Sequence, residues 1–227
     1  MAETPFDDWL LRENEQTCRN LGRTRRPIGP ARPGANQQSY QNCGLECCRQ
    51  IINRVRQREG KEPVSEQLLL IYALRQGLAQ GPRLSSQDSP RQLAPICGTS
   101  AGDRRDLLAD FGIVAELRGR PFESEEAARN QRFQRCILPA LAERKGVVAA
   151  VWGARLWPPS LVKGKGISPG APEFSHAVVP IACNGGTVFL NDSGVLAHCG
   201  RTVPVALFVE SLIPTDSVLI TRDPVWI

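Results

Sequence analysis

The sequence predicts an α+β fold, with helices in the first part of the chain and an antiparallel sheet in the second. Apolar residues recur at helical spacing as far as residue 143, and beyond it the pattern changes to short runs of apolar and β-branched residues. In this second part the segment CNGG separates two such runs, which is a strong hairpin signal. Helices followed by hairpin-linked strands are typical of α+β domains.

Three of the predicted helices have clear start or stop signals. The first begins at about Cys43 and ends at Gly60, a residue type that favours helix termination. The second follows Ser65, a good N-cap for the apolar stripe of SEQLLLIYALRQGL. The third follows Ser100 and ends at Gly112.

The remaining elements are predicted from apolar runs and turn residues. A fourth helix is expected over residues 123–143, and a short strand before it over 113–117. The sheet is expected to use the segments 147–152, 176–182, 187–191, 203–209 and 218–221.

The sequence predicts two regions that differ in composition. Residues 1–34 are predicted to be an extension and linker: residues 6–22 have an amphipathic helical pattern, and the following RTRRPIGPARPGANQQ contains three prolines and two glycines. Residues 35–227 are predicted to form one folded domain, which is an ordinary size for a single core.

The charge distribution argues against a nucleic-acid partner. The net charge is +5, and a basic cluster precedes the first strong helix signal, formed by Arg19, Arg23, Arg25, Arg26 and Arg32. Aromatic residues make up only 6% of the chain and none is interleaved with this cluster, so base stacking is not indicated. We interpret the cluster as a solvated arm.

No membrane or export segment is predicted. No run approaches the roughly 18 to 20 apolar residues of a membrane span. The N-terminal MAETPFDDWLLRENE is acidic and lacks the basic-then-apolar pattern of a signal peptide. We expect a protein made in the cytoplasm without an integral membrane segment, which would be exported only by a specialised secretion system or as part of a larger polypeptide.

Cys43 is the candidate nucleophile among eight cysteines. The cysteines are irregularly spaced, and several lie in apolar periodic segments, so reduced thiols are expected rather than a disulfide framework. Cys43 stands at a predicted helix start, where unpaired N–H groups and the helix dipole stabilise a thiolate. Gly44 beside it leaves room for a substrate backbone.

A zinc site is the competing interpretation of the cysteines. It would combine ligands from Cys43, Cys47, Cys48, His198 and Cys199. The usual Cys-x2-Cys pair is missing, and Cys43 and Cys47 are one helical turn apart. We therefore expect no metal and no cofactor, with Cys47 in the core and Cys48 either packed or at the surface.

The base must be one of only two histidines. His176 begins the apolar strand HAVVPIA directly after a long loop rich in proline and glycine, which predicts a position at a sheet edge facing a cleft. His198 lies in a predicted turn. His176 is the better partner for a thiolate–imidazolium pair.

The residue that orients the imidazole is expected at the end of the second hairpin strand. A tight turn at CNGG returns that strand along the first, which brings its end beside His176. Either Asp192 or Asn191 then faces the ring, and a register change of one residue decides which.

Together these residues resemble the bacteriocin-processing, double-glycine-leader peptidases of the papain-like cysteine peptidase superfamily. The resemblance covers roughly residues 35–210. Its motifs are Gln37 six positions before a Cys-Gly nucleophile, a helix after Cys43, and His176 followed sixteen residues later by Asp192. The segments CGTSAGDRRDLLADFGIVAEL and LAERKGVVAAVW are also similar to the family's.

The resemblance implies a papain-like cysteine peptidase that acts on a protein or peptide. Cys43 would attack, His176 would carry the proton, and Asp192 would orient His176. The Gln37 side chain, rather than that of Gln38, would hold the oxyanion together with the backbone N–H of Cys43.

Two departures from the family bear on the substrate. Family members often precede a transporter, and here nothing membrane-spanning follows the domain. Glu46 stands where the family usually has a small or apolar residue, and Cys48 adds a third nearby thiol. A free-standing domain with a basic arm also resembles bacterial toxin or effector peptidases, for which a cognate inhibitor or immunity protein is an expected partner. Three alternatives stay open: a glutamine deamidase toxin with the same triad, a leader-processing peptidase, and an inactive papain-like binding module.

The loop over residues 157–175 is expected to border the substrate groove. Trp152 and Trp157 are either groove walls or core anchors. Lys163 and Lys165 in the loop hint at acidic residues near the scissile bond.

Overall fold

The computed structural model of the chain describes residues 4–6, 43–79, 98–119, 125–157, 175–193 and 199–226. The predicted helix beyond residue 6, the basic linker and the 34/35 domain boundary lie outside these ranges, as does most of the 157–175 loop. Within them, no helix is both long and apolar enough to cross a bilayer.

Helices make up most of the described residues before position 145, and two short helices follow later in the chain. The helices are α1 (Cys43–Arg58), α2 (Glu66–Arg75), α3 (Ala101–Asp110), α4 (Glu125–Arg132), α5 (Leu138–Ala142), α6 (Gly153–Leu156) and α7 (Val205–Ser211), with a π-helical turn at Phe133–Ile137 joining α4 to α5. Ser65 caps α2 by accepting from the Leu68 N–H, and Ser100 forms a capping box with Asp103 on α3.

Six strands form one antiparallel sheet. They are β1 (Ala115–Arg118), β2 (Lys145–Trp152), β3 (Ser175–Asn184), β4 (Thr187–Asn191), β5 (Cys199–Pro204) and β6 (Val218–Pro224). Their order across the sheet is β1-β6-β2-β3-β4-β5, and every neighbouring pair is antiparallel. Helices and an antiparallel sheet confirm the predicted α+β class.

The two faces of the sheet carry separate hydrophobic clusters. The first cluster packs α1, α2 and α3 against one face and includes Ala177 and Val179 of β3. The second packs the π-helical turn, α5 and α7 against the other face and includes Val178 of β3. Because successive strand residues point to opposite faces, β3 contributes to both clusters.

One predicted strand is wrong in its extent. Residues 203–209 were predicted as strand, but β5 ends at Pro204 and α7 follows it directly. Val205, Phe208 and Val209 have helical i, i+3, i+4 spacing, and all three belong to the second cluster. A short apolar run of this kind fits both a strand and a buried helix, so its period does not decide between them.

Phe6 ties the beginning of the chain to the folded body. Its side chain is fully buried. The ring stacks on that of Phe111 with centroids 4.2 Å apart and meets the edge of Tyr72 at 5.2 Å. The Arg56 guanidinium lies 5.5 Å above the ring centroid. These contacts make Phe6 part of the first cluster, although it belongs to the segment predicted as an extension.

Phe6→Ala is expected to lower the free energy of unfolding by about 3 to 5 kcal/mol, since it removes a buried ring and leaves a cavity. Urea denaturation would measure the change. Phe189→Ala is the matched control, because Phe189 is 39% exposed and its removal leaves no cavity. Equal stability of the two variants would contradict the packing role of Phe6.

Candidate active site

Cys43 is the first residue of α1 and lies where that helix meets β3. Its side chain is partly exposed. The backbone N–H of Ala177 donates a hydrogen bond to Sγ over 3.4 Å, and the thiol is also hydrogen-bonded to His176. The sulfur therefore contacts one main-chain N–H donor and one imidazole. It lies at the N-terminal end of α1, where negative charge is favoured.

Gly44 is required by the packing beside the nucleophile. A Cβ at this position would collide with the Thr99 hydroxyl and would lie 3.2 Å from Cδ of Arg104. The absent side chain allows the segment before α3, and α3 itself, to approach the start of α1. This is a different reason for the glycine from the substrate access expected from the sequence.

His176 is the second residue of β3 and is only 4% exposed. Its Nε2 lies 2.7 Å from Oδ1 of Asp192. Since that nitrogen is engaged by the carboxylate, Nδ1 is the ring nitrogen left for Cys43. In the charged form of the pair, Nε2–H donates to Asp192 and Nδ1–H donates to the Cys43 thiolate.

A β-bulge decides which residue of β4 faces the imidazole. Near the turn Asn184 pairs with Thr187, and this register would place residue 191 on the face of His176. The register shifts by one between Pro180 and Ala182, so that Val179 pairs with Asn191. The next residue, Asp192, is thereby on the face of Val178 and His176. Of the two residues left open by the sequence, Asp192 is the one that the structure brings to the imidazole.

Asp192 is fully buried and bonds to a second ring system. Trp157 Nε1–H donates to Oδ2 over 2.6 Å, while Oδ1 accepts from His176. The Trp157 ring also lies against the imidazole, with centroids 4.8 Å apart. Trp157 is itself only 5% exposed, so it acts as a buried anchor of the carboxylate.

The electrostatics favour a charged thiolate–imidazolium pair. Burial by itself would raise the pKa of the Cys43 thiol. The hydrogen bond and charge of His176, the Ala177 N–H and the charge of Arg104 together outweigh burial and lower the pKa overall. Burial would likewise lower the pKa of His176, but the bonds to Asp192 and Cys43 raise it to about 9. At neutral pH the imidazole is therefore protonated, and its charge favours the thiolate form of Cys43.

Cys47 and Cys48 have a different character from Cys43. Both are fully buried, and burial raises the pKa of Cys47 far above its usual range and that of Cys48 to about 12. Two buried neutral thiols are ordinary core groups. Among the described residues, no group of three or more His, Cys, Asp or Glu side chains is arranged to hold a metal.

Several predicted residues fall outside the described ranges: Gln37, Gln38, Lys163, Lys165 and His198. Trp152 ends β2 and is partly exposed. The sequence predicted Trp157 to be either a groove wall or a core anchor. It did not predict the bond to Asp192, because no spacing rule links residues 35 positions apart. The only available signal was that a buried indole N–H needs an acceptor.

No protein-family model and no curated protein matches the chain. Among solved structures it is similar to a crystal structure described as a "putative C39-like peptidase from Bacillus anthracis", with a TM-score of 0.48 and 11% identity, covering 83% of this chain and 94% of that one. At this level of similarity, function has to be inferred from the chemistry of the site itself.

Cys43 is expected to be alkylated by iodoacetamide at about pH 7 much faster than the other described thiols, because its pKa is lowered whereas those of Cys47, Cys48 and Cys183 are raised. In His176→Ala the desolvated thiol loses its imidazolium, so rapid alkylation should move to alkaline pH. Turnover that uses the imidazolium as an acid should fall as pH rises through about 9. Peptide mapping of the alkylated protein measures the rates, and slow uniform labelling of all thiols would contradict the ion pair.

Trp157→Phe is expected to destabilise the fold by about 1 to 3 kcal/mol, because Oδ2 of Asp192 loses a buried donor. Trp226→Phe is the control, since it makes the same change of ring size but removes an indole N–H that has no hydrogen-bond partner. Thermal unfolding compares the two variants. Equal losses would mean that ring volume, and not the bond to Asp192, is what matters.

Proposed function

We propose that the chain is a cysteine peptidase whose reacting groups are Cys43, His176 and Asp192. The observation that supports it best is the continuous hydrogen-bonded chain from a partly exposed thiol, through a buried imidazole, to a buried carboxylate. This is the nucleophile–base–orienter arrangement of acyl-transfer enzymes.

In the proposed first step the Cys43 thiolate attacks the carbonyl carbon of the scissile bond, and the C=O electron pair moves onto oxygen. The backbone N–H of Cys43 and the Gln37 side chain are the predicted donors to that oxyanion. A donor of this kind typically lowers the activation barrier by about 2.7 to 4 kcal/mol. His176 then gives its Nδ1 proton to the departing amine as the C–N bond breaks, which leaves a thioester on Cys43.

In the second step water attacks the thioester and His176 accepts its proton. The Cys43 thiolate leaves, the carboxylic product is released, and the ion pair is restored. Asp192 holds the ring in one orientation through both transfers, and Trp157 holds Asp192. A buried carboxylate bonded on both oxygens can keep its position while the imidazole gains and loses a proton.

The same chemistry acts on a side-chain carboxamide when ammonia is the leaving group. A glutamine deamidase and a peptidase would therefore share these catalytic residues and differ in the product that they release. The toxin or effector setting and a cognate inhibitor protein stay predictions from the sequence resemblance.

Wild-type protein is expected to cut peptides in a degenerate library, whereas Cys43→Ala should lose turnover by several orders of magnitude with an unchanged fold. Mass spectrometry identifies the products: new termini indicate a peptidase, and the small mass gain of an amide converted to an acid indicates a deamidase. Asn191→Ala is the matched control, because Asn191 neighbours Asp192 but has its side chain on the other face. Wild-type turnover in Cys43→Ala would overturn the mechanism.

A further inference from the structure

Arg104 is a buried cation beside the nucleophile, and among the described residues its guanidinium has no ion-pair partner. Its side chain is 5% exposed and comes from the first half of α3. Nε has no hydrogen-bond partner, and within the described ranges no carboxylate forms an ion pair with this guanidinium. Burying an unpaired charge is costly, so such a group calls for an explanation.

The other buried or half-buried arginines show how this fold normally treats such a group. Arg49 forms a bidentate pair with Glu46 at 2.6 and 2.7 Å. Arg56 donates to the carbonyl of Glu62 over 2.7 Å. Arg132 donates through both terminal nitrogens to the carbonyls of residues 213 and 214, at 2.6 and 2.8 Å. Each of these guanidinium groups donates to at least one acceptor in the fold, although Nε of Arg132 is unpartnered like that of Arg104. Among the described arginines of this kind, Arg104 is the exception because no hydrogen bond from its guanidinium is formed.

The position of Arg104 places this free charge at the reaction centre. Its Nη1 lies 3.3 Å from where a Cβ of Gly44 would stand, immediately next to Cys43. The Thr99 hydroxyl approaches the same point from another side, and it is likewise buried without a hydrogen-bond partner. A guanidinium and a hydroxyl, both unpartnered, therefore converge over the residue that follows the nucleophile.

The chemistry of these two groups selects a carboxylate. A guanidinium presents parallel N–H donors that match the two oxygens of a carboxylate, and a threonine hydroxyl adds one more donor. The Cys43 sulfur itself is already bonded by His176 and by the Ala177 N–H. Arg104 attracts the Cys43 thiolate through its charge, but among the described residues no group accepts a hydrogen bond from its guanidinium. The carboxylate of a bound ligand would supply that acceptor.

Resting on the proposed peptidase function, we propose that Arg104 and Thr99 form a carboxylate-binding subsite that selects peptides carrying an acidic side chain next to the scissile bond. Arg104 is a specificity-determining residue, because its N–H donors gain a hydrogen-bonded carboxylate only when such a substrate is bound. The unpaired charge is a cost of the free enzyme, and binding of the correct substrate removes that cost.

A first experiment tests the subsite without any turnover. Cys43 is alkylated with anionic iodoacetate and with neutral iodoacetamide in wild type, in Arg104→Met and in Arg105→Met. Arg105 is the next residue of α3 and is exposed, so it gives the same change of net charge away from the site. The ratio of the iodoacetate rate to the iodoacetamide rate should fall about fivefold in Arg104→Met and stay unchanged in Arg105→Met. An unchanged ratio in both would overturn the proposal.

Thermal unfolding of the same variants separates specificity from structure. Because no described residue pairs with the Arg104 guanidinium, Arg104→Met should unfold at a temperature no lower than wild type. A lower unfolding temperature together with an unchanged reagent ratio would assign Arg104 a structural role instead.

A second experiment uses matched peptides that carry Glu, Gln, or a free or amidated C-terminus beside the scissile bond. Wild type should favour Glu over Gln about tenfold or more in kcat/KM, and Arg104→Met should lose that preference. A preference for the free C-terminus alone would identify a terminal carboxylate as the ligand and overturn the side-chain assignment. No cleavage of any peptide, with Cys43 no more reactive than a surface thiol, would refute the peptidase function, while the reagent ratio would still test the subsite.

Discussion

The hydrogen bond between His176 and Asp192 is the interaction on which the candidate site depends. It joins two buried groups, one of them fully excluded from water, and it raises the pKa of the imidazole that in turn stabilises the Cys43 thiolate. Burial alone would make both Cys43 and His176 neutral. The carboxylate therefore determines the charge state of the whole site, and the indole of Trp157 determines where the carboxylate lies.

This chain of bonds crosses the boundary between the two hydrophobic clusters. Cys43 packs on the cluster formed with α1 to α3, and Trp157 belongs to the cluster on the opposite face of the sheet. The start of β3 is where the two meet, because its successive residues point to opposite faces. Displacement of the helices on either face of the sheet would separate the thiol from the imidazole or the imidazole from its carboxylate. The site therefore depends on the packing of both faces.

Buried charge is used in two contrasting ways around the nucleophile. In the pairs Arg49–Glu46 and His176–Asp192, the basic side chain and the carboxylate bond to each other within the protein. Arg104 lies close to Gly44 and attracts the Cys43 thiolate, but among the described residues no carboxylate pairs with it. That contrast is the physical basis for the proposal that Arg104 binds substrate.

The sequence by itself predicted the α+β class, the limits of most helices and the pairing of Cys43 with His176. Periodicity and capping are local properties, and a chain with two histidines leaves few partners for a thiolate. The tertiary structure alone decided between Asp192 and Asn191, because a bulge between Pro180 and Ala182 changes the face of every later residue of the hairpin. It also placed Trp157 on Asp192 and Arg104 beside Gly44. Those contacts join segments far apart in the chain, and only the packing of helices on both faces of the sheet brings them together.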